Sequence, residues 1–352
     1  MRIAQVAPLA ENVPPTLYGG TERVVSWLTE DLVGRGHRVT LFASGDSRTN
    51  AELVPVVPRA LRLDPNIRDH QPYNCLLLDR VFARAEEFDL IHFHIDMLHY
   101  PLFRAMADRI VTTLHGRLDL PDLHPFYRAF PDLPLVSISR AQREPMPPVN
   151  WVATVHHGMS RNLYRPSPAA GGGGYFAFLG RICAEKGVEE SVAIAERTGI
   201  TLKIAAKVDA ADRVYYEAKV RPLLRASRHV EFLGEVNDRE KNELLGAALA
   251  LLFPICWPEP FGLVMIESMA CGTPVIAYNW GSVPEIVEDG LTGFVVTNVE
   301  EAVDAVARLG TLDRNRIRQR FEQRFTVERM TSKYLDVYDR LLGSRLGATE
   351  AA

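Results

Sequence analysis

The same order of elements occurs twice in this chain: a buried strand, a loop carrying glycine, a helix and a second strand. The first copy runs from Arg2-Ile3-Ala4-Gln5-Val6-Ala7-Pro8, through a proline-bearing loop to Gly19-Gly20-Thr21, into a helix over 22–33 that Thr21 is expected to cap. A strand follows over 38–43. The second copy opens with Tyr175-Phe176-Ala177-Phe178-Leu179, continues through a loop over 180–187, and adds a helix over 188–198 and a strand over 201–205. Further strands over 90–94, 110–114, 135–138, 230–233, 249–253 and 274–277 alternate with helical segments over 76–87, 97–108, 212–226 and 238–245. Alternation of this kind predicts an α/β chain with mostly parallel, doubly wound sheets, whose ligands sit at the carboxyl ends of strands. At 352 residues the chain exceeds one comfortable core, so two domains of about 170 residues are expected. Four successive glycines, Gly171 to Gly174, read as a hinge and place the boundary there.

Bulk properties exclude several classes of function. Hydrophobic residues at 47% and charged residues at 24% fit a globular chain and argue against disorder. The net charge is -4, and residues 1–165 hold 18 Arg, no Lys and 18 acidic residues, so no basic half suggests nucleic acid and membrane association is not indicated. No run approaches the ~18 apolar residues of a membrane span, and a cytoplasmic location is expected. Cys75, Cys183, Cys256 and Cys271 are too scattered for a disulfide framework or a zinc knuckle.

Pro258-Glu259-Pro260-Phe261-Gly262-Leu263-Val264-Met265-Ile266-Glu267 carries the densest chemistry. Pro260 pushes Glu259 out of the α region and onto a loop. A short helix is expected from near Gly262 to Gly272, apolar almost all round, with Glu267 its one ionisable residue. A buried carboxylate is costly unless hydrogen-bonded, and the free N–H groups of the first turn, near Gly262, Leu263 and Val264, form an anion site. Upstream, Arg181 and Lys186, the first lysine in the chain, precede a helix start, where cations oppose the macrodipole unless an anion lies between. A diphosphate suits a planar guanidinium and an ammonium together; two solvated loop cations are the plainer reading.

His115 leaves its strand at a position where ligands belong, although a lone histidine there is more often structural. His92, His94 and Asp96 recur at period two and would share one face of an extended strand. No further carboxylate or cysteine cluster completes a metal shell, so a metal site is not expected. Gly19-Gly20 reads equally as backbone approaching a ligand or as a loop without ligand contact; it is not G-x-G-x-x-G, which weakens a dinucleotide reading.

Together these residues resemble the retaining GT-B glycosyltransferases of family 4, the group 1 glycosyl transferases. The likeness rests on Gly19-Gly20, on Gly180-Arg181 with Lys186-Gly187, on Glu259-Pro260-Phe261-Gly262 with Glu267, and on Gly281-Ser282-Val283-Pro284-Glu285 with Asp289-Gly290 and Thr292-Gly293. The resemblance implies two Rossmann-like domains facing across a cleft. An N-terminal acceptor domain would span 1–165 and a donor domain 166–325, with a last helix over 326–352 returning to the first. It implies metal-independent transfer of a sugar, with retention, from a nucleoside diphosphate sugar to an acceptor hydroxyl. UDP-hexose is favoured, GDP-mannose is next, and no cofactor is needed beyond that co-substrate. By resemblance, Arg181 and Lys186 hold the diphosphate, Glu267 accepts from the ribose hydroxyls, and Glu259 from the transferred sugar. The N–H groups of Phe261, Gly262 and Leu263 meet sugar or phosphate, His115 contacts the donor sugar, and Gly19 and Gly20 approach the phosphates once the domains close. The acceptor side would come from loops over 11–18, 44–74 and 116–130. Two departures stand out: His157-Gly158-Met159-Ser160 replaces the usual Asn-Gly-Val-Asp, and Ala205-Ala206-Lys207-Val208-Asp209 a glycine-rich loop. A nucleotide-sugar 2-epimerase of the same fold and a non-catalytic sugar-nucleotide-binding protein are the alternatives.

Overall fold

The computed structural model describes residues 1–16, 19–167 and 171–350. Leu17 and Tyr18, at the end of the first expected acceptor loop, and Pro168 to Ala170, ahead of the glycine run, lie outside the described residues. The chain divides into two compact units, one formed by Met1–Met159 together with the residues from Val327 on, the other by Ser160–Thr326.

The first unit is built on a seven-stranded parallel sheet. Its strands are β1 (Arg2–Val6), β2 (Arg38–Ser44), β3 (Glu52–Val57), β4 (Leu90–Phe93), β5 (Ile110–Thr113), β6 (Leu135–Ser137) and β7 (Trp151–Thr154), in the spatial order β3-β2-β1-β4-β5-β6-β7. The strands are apolar because helices cover both faces, and Phe42, Ile91, Phe93, Tyr100 and Phe103 fill the core beneath them. The order reverses between β1 and β4, where Gln5 pairs in register with His92. This reversal is the point at which doubly wound sheets open a crevice beyond their strand ends. The terminal helix Val327–Glu350 belongs to this unit and buries Tyr334 and Tyr338. Arg35 holds it by donating to Ser332 Oγ at 3.0 Å and to the Glu328 carbonyl at 2.8 Å.

The second unit carries six parallel strands. β8 (Tyr175–Arg181), β9 (Thr201–Lys207), β10 (Val230–Gly234), β11 (Ala250–Phe253), β12 (Val275–Tyr278) and β13 (Gly293–Val296) lie in the order β10-β9-β8-β11-β12-β13. The reversal here falls between β8 and β11, so the loops after these two strands, 182–187 and 254–262, share the ligand-binding end of the sheet.

The structure departs from the sequence reading in identifiable places. Helix Gly20–Gly34 starts at Gly20 with Gly19 as its N-cap, so Thr21 lies inside the first turn and does not cap it. β3 falls within a stretch read as polar and irregular; it contains Pro55, which a sheet tolerates because β3 is an edge strand. The expected helix over 97–108 is only Tyr100–Phe103 followed by a tight turn at Arg104–Met106. The segment 212–226 is interrupted by a wide π turn at Tyr216–Val220, next to Pro222, whose missing N–H breaks the regular ladder. The described glycines of the run 171–174 form a turn within the second unit, with Gly173 N–H donating to the Ala247 carbonyl at 3.1 Å. The chain passes between units at Met159/Ser160 and Thr326/Val327 instead, where Val327 N–H donates to the Met159 carbonyl at 3.0 Å.

Candidate active site

In the second unit, the expected donor residues gather at the carboxyl ends of β8 and β11. Arg181 ends β8, in register with Lys207 on β9, and its guanidinium lies 3.3 Å from Asp212 Oδ2. Lys186 closes a single turn, Ala184–Lys186, immediately before helix Val188–Thr198. Gly187, the N-cap, has φ +71°, and a Cβ there would lie 1.9 Å from the Pro254 carbonyl oxygen. That contact seats the loop after β8 against the loop after β11, and only glycine permits it.

Glu259 lies on an irregular loop, as Pro260 requires, and is buried at 8% exposure. Its carboxylate accepts from Lys186 Nζ, whose ammonium lies 5.1 Å from the Trp257 ring centroid and 5.8 Å from that of Phe253. Gly281 presses on the same loop: at φ +53°, a Cβ would lie 2.4 Å from the Glu259 nitrogen. Ser282 completes the support, its N–H donating to the Glu259 carbonyl at 3.0 Å and its hydroxyl to the Phe261 carbonyl at 2.9 Å. The Gly-Ser pair at 281–282 therefore fixes the backbone that carries Glu259 and Phe261.

The short helix spans Leu263–Ala270 with Gly262 as N-cap, and no side chain caps it. Its first N–H groups have no carbonyl one turn back to bond. Glu267 is 2% exposed, and Lys241, on helix Asp238–Ala247, donates to its Oε1 at 3.0 Å. Oε2 is buried without a hydrogen-bond donor among the described residues. Lys241 did not emerge from the sequence; the acidic surroundings of its helix gave no signal for a cation serving Glu267.

In the first unit, His115 follows β5, half-buried, with Nε2 2.8 Å from His94 Nδ1. Its Nδ1 is buried and makes no hydrogen bond among the described residues. His157, where the family pattern has asparagine, stacks on it at 5.2 Å and 16°. His92 and His94 do share a face, their centroids 4.0 Å apart, whereas Asp96 leaves the strand exposed with φ +52°. Among the described residues, no group of three or more metal-ligating side chains is arranged to hold an ion. Burial pulls His92, His94 and His157 well below the ordinary imidazole range and His115 down to about 3. Gly19 is buried and Gly20 exposed at the start of helix Gly20–Gly34. Just inside that helix, Glu22 is buried, and desolvation raises its carboxyl above the usual range. The sequence reading passed over Glu22, because an acidic residue in a first helical turn is ordinary. Among the described residues, no helix is long and apolar enough to cross a membrane.

Comparison with known proteins bears on the family and the fold. Residues 160–324 match the model for "Glycosyl transferases group 1", and residues 18–183 the model for "Glycosyltransferase Family 4". The chain is 29% identical to an alpha-maltose-1-phosphate synthase of Mycobacterium tuberculosis, over 95% of this chain and 98% of that protein. The fold is similar to that of a sucrose-phosphate synthase from Thermosynechococcus elongatus, with a TM-score of 0.77 at 20% identity, covering 97% of this chain and 99% of that one. It is also similar to Anabaena HepE in complex with UDP and glucose, with a TM-score of 0.72 at 19% identity, covering 97% and 100%.

Proposed function

Because the chain belongs to the group 1 glycosyltransferases of family 4, with the GT-B fold, we propose that it moves a sugar from a nucleoside diphosphate sugar to an acceptor hydroxyl, with retention and without a metal. UDP-hexose is the favoured donor, in keeping with HepE, whose structure holds UDP and glucose, and GDP-mannose is next. The observation that carries the reading is a pair of unmatched acceptors. Glu267 Oε2, expected to meet the ribose hydroxyls, and Nδ1 of His115, expected to contact the donor sugar, are buried and have no hydrogen-bond partner among the described residues. A buried acceptor left unmatched costs on the order of 1–3 kcal/mol, a cost that a bound hydroxyl removes.

In the reaction, the bond between the anomeric carbon and the β-phosphate oxygen breaks, and its electron pair leaves with the nucleoside diphosphate. The acceptor oxygen bonds to the same carbon on the same face, and its proton passes to the departing phosphate. Arg181, Lys186 and the first-turn N–H groups at Leu263 and Val264 stabilise the growing negative charge. Glu259 accepts from the transferred sugar and Glu267 from the ribose. His115 accepts from a sugar hydroxyl, and the backbone at Gly19 and Gly20 meets the phosphates.

Incubation with UDP-, GDP- and ADP-sugars, with and without EDTA, tests the reading through nucleoside diphosphate release. Release with at least one donor, unchanged by EDTA, is expected. Strict loss in EDTA removes the metal-free mechanism, and no release from any donor despite tight binding removes the transferase reading.

A further inference from the structure

His115 ends a buried hydrogen-bonded chain supplied entirely by its own unit. Its Nε2 is 2.8 Å from His94 Nδ1, and His94 Nε2 is 2.8 Å from the amide oxygen of Gln5. Gln5 Nε2 donates to the Tyr338 hydroxyl at 3.3 Å, and that hydroxyl is 2.7 Å from His92 Nδ1. His92 continues through Nε2 to Thr113 Oγ1 at 2.8 Å. Gln5, His92, His94, Thr113 and Tyr338 are all essentially inaccessible to solvent. Burial keeps the imidazoles neutral at physiological pH, so each ring carries one proton, and the open variable is which nitrogen holds it.

The Gln5 amide orients the chain, because its nitrogen can only donate and its oxygen only accept. Its Nε2 donates to the Tyr338 hydroxyl, which leaves that hydroxyl's own proton for His92 Nδ1 at 2.7 Å and the His92 proton on Nε2 facing Thr113. With the amide nitrogen turned to Tyr338, the amide oxygen faces His94 and requires its proton on Nε2. His94 Nδ1 must then accept, and His115 Nε2 must donate. What remains on His115 is Nδ1, a lone pair.

We propose that Gln5 is a positioning residue that, through His94, holds His115 as the Nε2–H tautomer, so that Nδ1 is an acceptor suited to a sugar hydroxyl and unsuited to a phosphate oxygen. The hydroxyl partner rests on the sugar-transfer reading; the tautomer does not. The opposite tautomer would donate from Nδ1 and favour an anion, so Gln5 in β1 selects the chemical class that His115 can meet.

Nitrogen-15 NMR of histidine-labelled full-length chain, without ligand and at neutral pH, tests this, with His115 identified by its disappearance in His115→Gln. The expected result is a single Nε2–H form in the parent chain and a tautomer mixture in Gln5→Met. Nucleoside diphosphate release by Gln5→Met should fall about tenfold, the scale of one lost hydrogen bond. Tyr338→Phe, which keeps the ring and removes only the hydroxyl that holds the amide, gives the same mixture and replaces Gln5→Met if that variant does not fold. A parent His115 in the Nδ1–H form, or an unchanged Nε2–H form in the folded variant, overturns the proposal. A His115 that reads Nε2–H in a chain releasing no nucleoside diphosphate from any donor leaves the relay standing and removes the sugar-transfer reading.

Discussion

Lys186 donates to the carboxylate of Glu259, joining the loop after β8 to the loop after β11 through a partly buried ion pair. The pair satisfies two groups that the proposed reaction needs separately, the ammonium for the diphosphate and the carboxylate for the sugar. Donor binding must therefore exchange one set of partners for another, which keeps both side chains positioned without leaving a buried charge alone. Lys186→Ala is expected to lower nucleoside diphosphate release by about 100-fold or more. It should also destabilise the ligand-free chain by about 1–3 kcal/mol in urea, because Glu259 loses its partner. A variant with near-normal release would end the diphosphate assignment, whatever its stability.

Glu267 and Lys241 allow structure and chemistry to be separated. Lys241 bonds Oε1, leaving Oε2 as the unmatched acceptor. Glu267→Ala is expected to cut release by about 100-fold and to lower stability, since the partly buried lysine keeps only the longer pair with Asp238 Oδ1, at 3.9 Å. The double variant Glu267→Gln with Lys241→Met removes both charges at nearly constant volume. Urea midpoints should return toward the parent while release stays low. Recovery of activity alongside stability would mean that Glu267 is structural.

How far the sequence could be read depended on the range of the interactions involved. Helix Val188–Thr198 lies over the span expected for it, because its glycine-flanked ends and apolar positions are local. Glu259 and Glu267 were legible for a similar reason, as a proline and an apolar helix dictate their surroundings within ten residues of chain. The His92 and His94 alternation correctly placed both rings on one face. Their actual partners, Gln5 and Tyr338, are separated from each other by 333 positions, and no periodicity connects them. Lys241 was hidden likewise, 26 positions from Glu267 on a different helix. β3 was missed because Pro55 argues against a strand unless its edge position is already known.

Gly187 and Gly281 lead to a steric prediction. A methyl group at Gly187 would overlap the Pro254 carbonyl, and one at Gly281 would overlap the backbone of Glu259, both at positive φ. Because the obstructing atoms are main chain, they cannot swing aside as a side-chain end would. Gly187→Ala and Gly281→Ala should each destabilise the second unit by about 3 kcal/mol or more, read from urea denaturation. Gly310→Ala, with nothing within 4 Å of the added atom, is the control and should be nearly neutral. Equal effects at all three positions would contradict the close approach of the two loops.

The buried histidines make the first unit sensitive to acid. His92, His94, His99, His115 and His157 all lie in Met1–Met159, and desolvation lowers every one of them below the ordinary imidazole value. A proton binds these rings more readily in the unfolded chain, so stability is complete above about pH 6.5 and is lost as pH falls below it. Each ring that stays neutral contributes a slope of about 1.4 kcal/mol per pH unit in that range. Glu22 and Asp96, whose carboxyls desolvation raises, that of Asp96 to about 6, work in the opposite direction, but they are two groups against five. Thermal melts followed by circular dichroism between pH 8 and pH 5 should show a midpoint that is flat above about pH 6.5 and falls steeply below it. His99 is a suitable probe, since it stacks on Phe93 at 3.7 Å and bonds Thr112 Oγ1 through Nε2, with no part in the proposed chemistry. His99→Phe keeps a ring in the stack and should reduce the acid slope by one histidine's share. A midpoint that holds or rises on acidification would show that these rings are protonated in the folded chain.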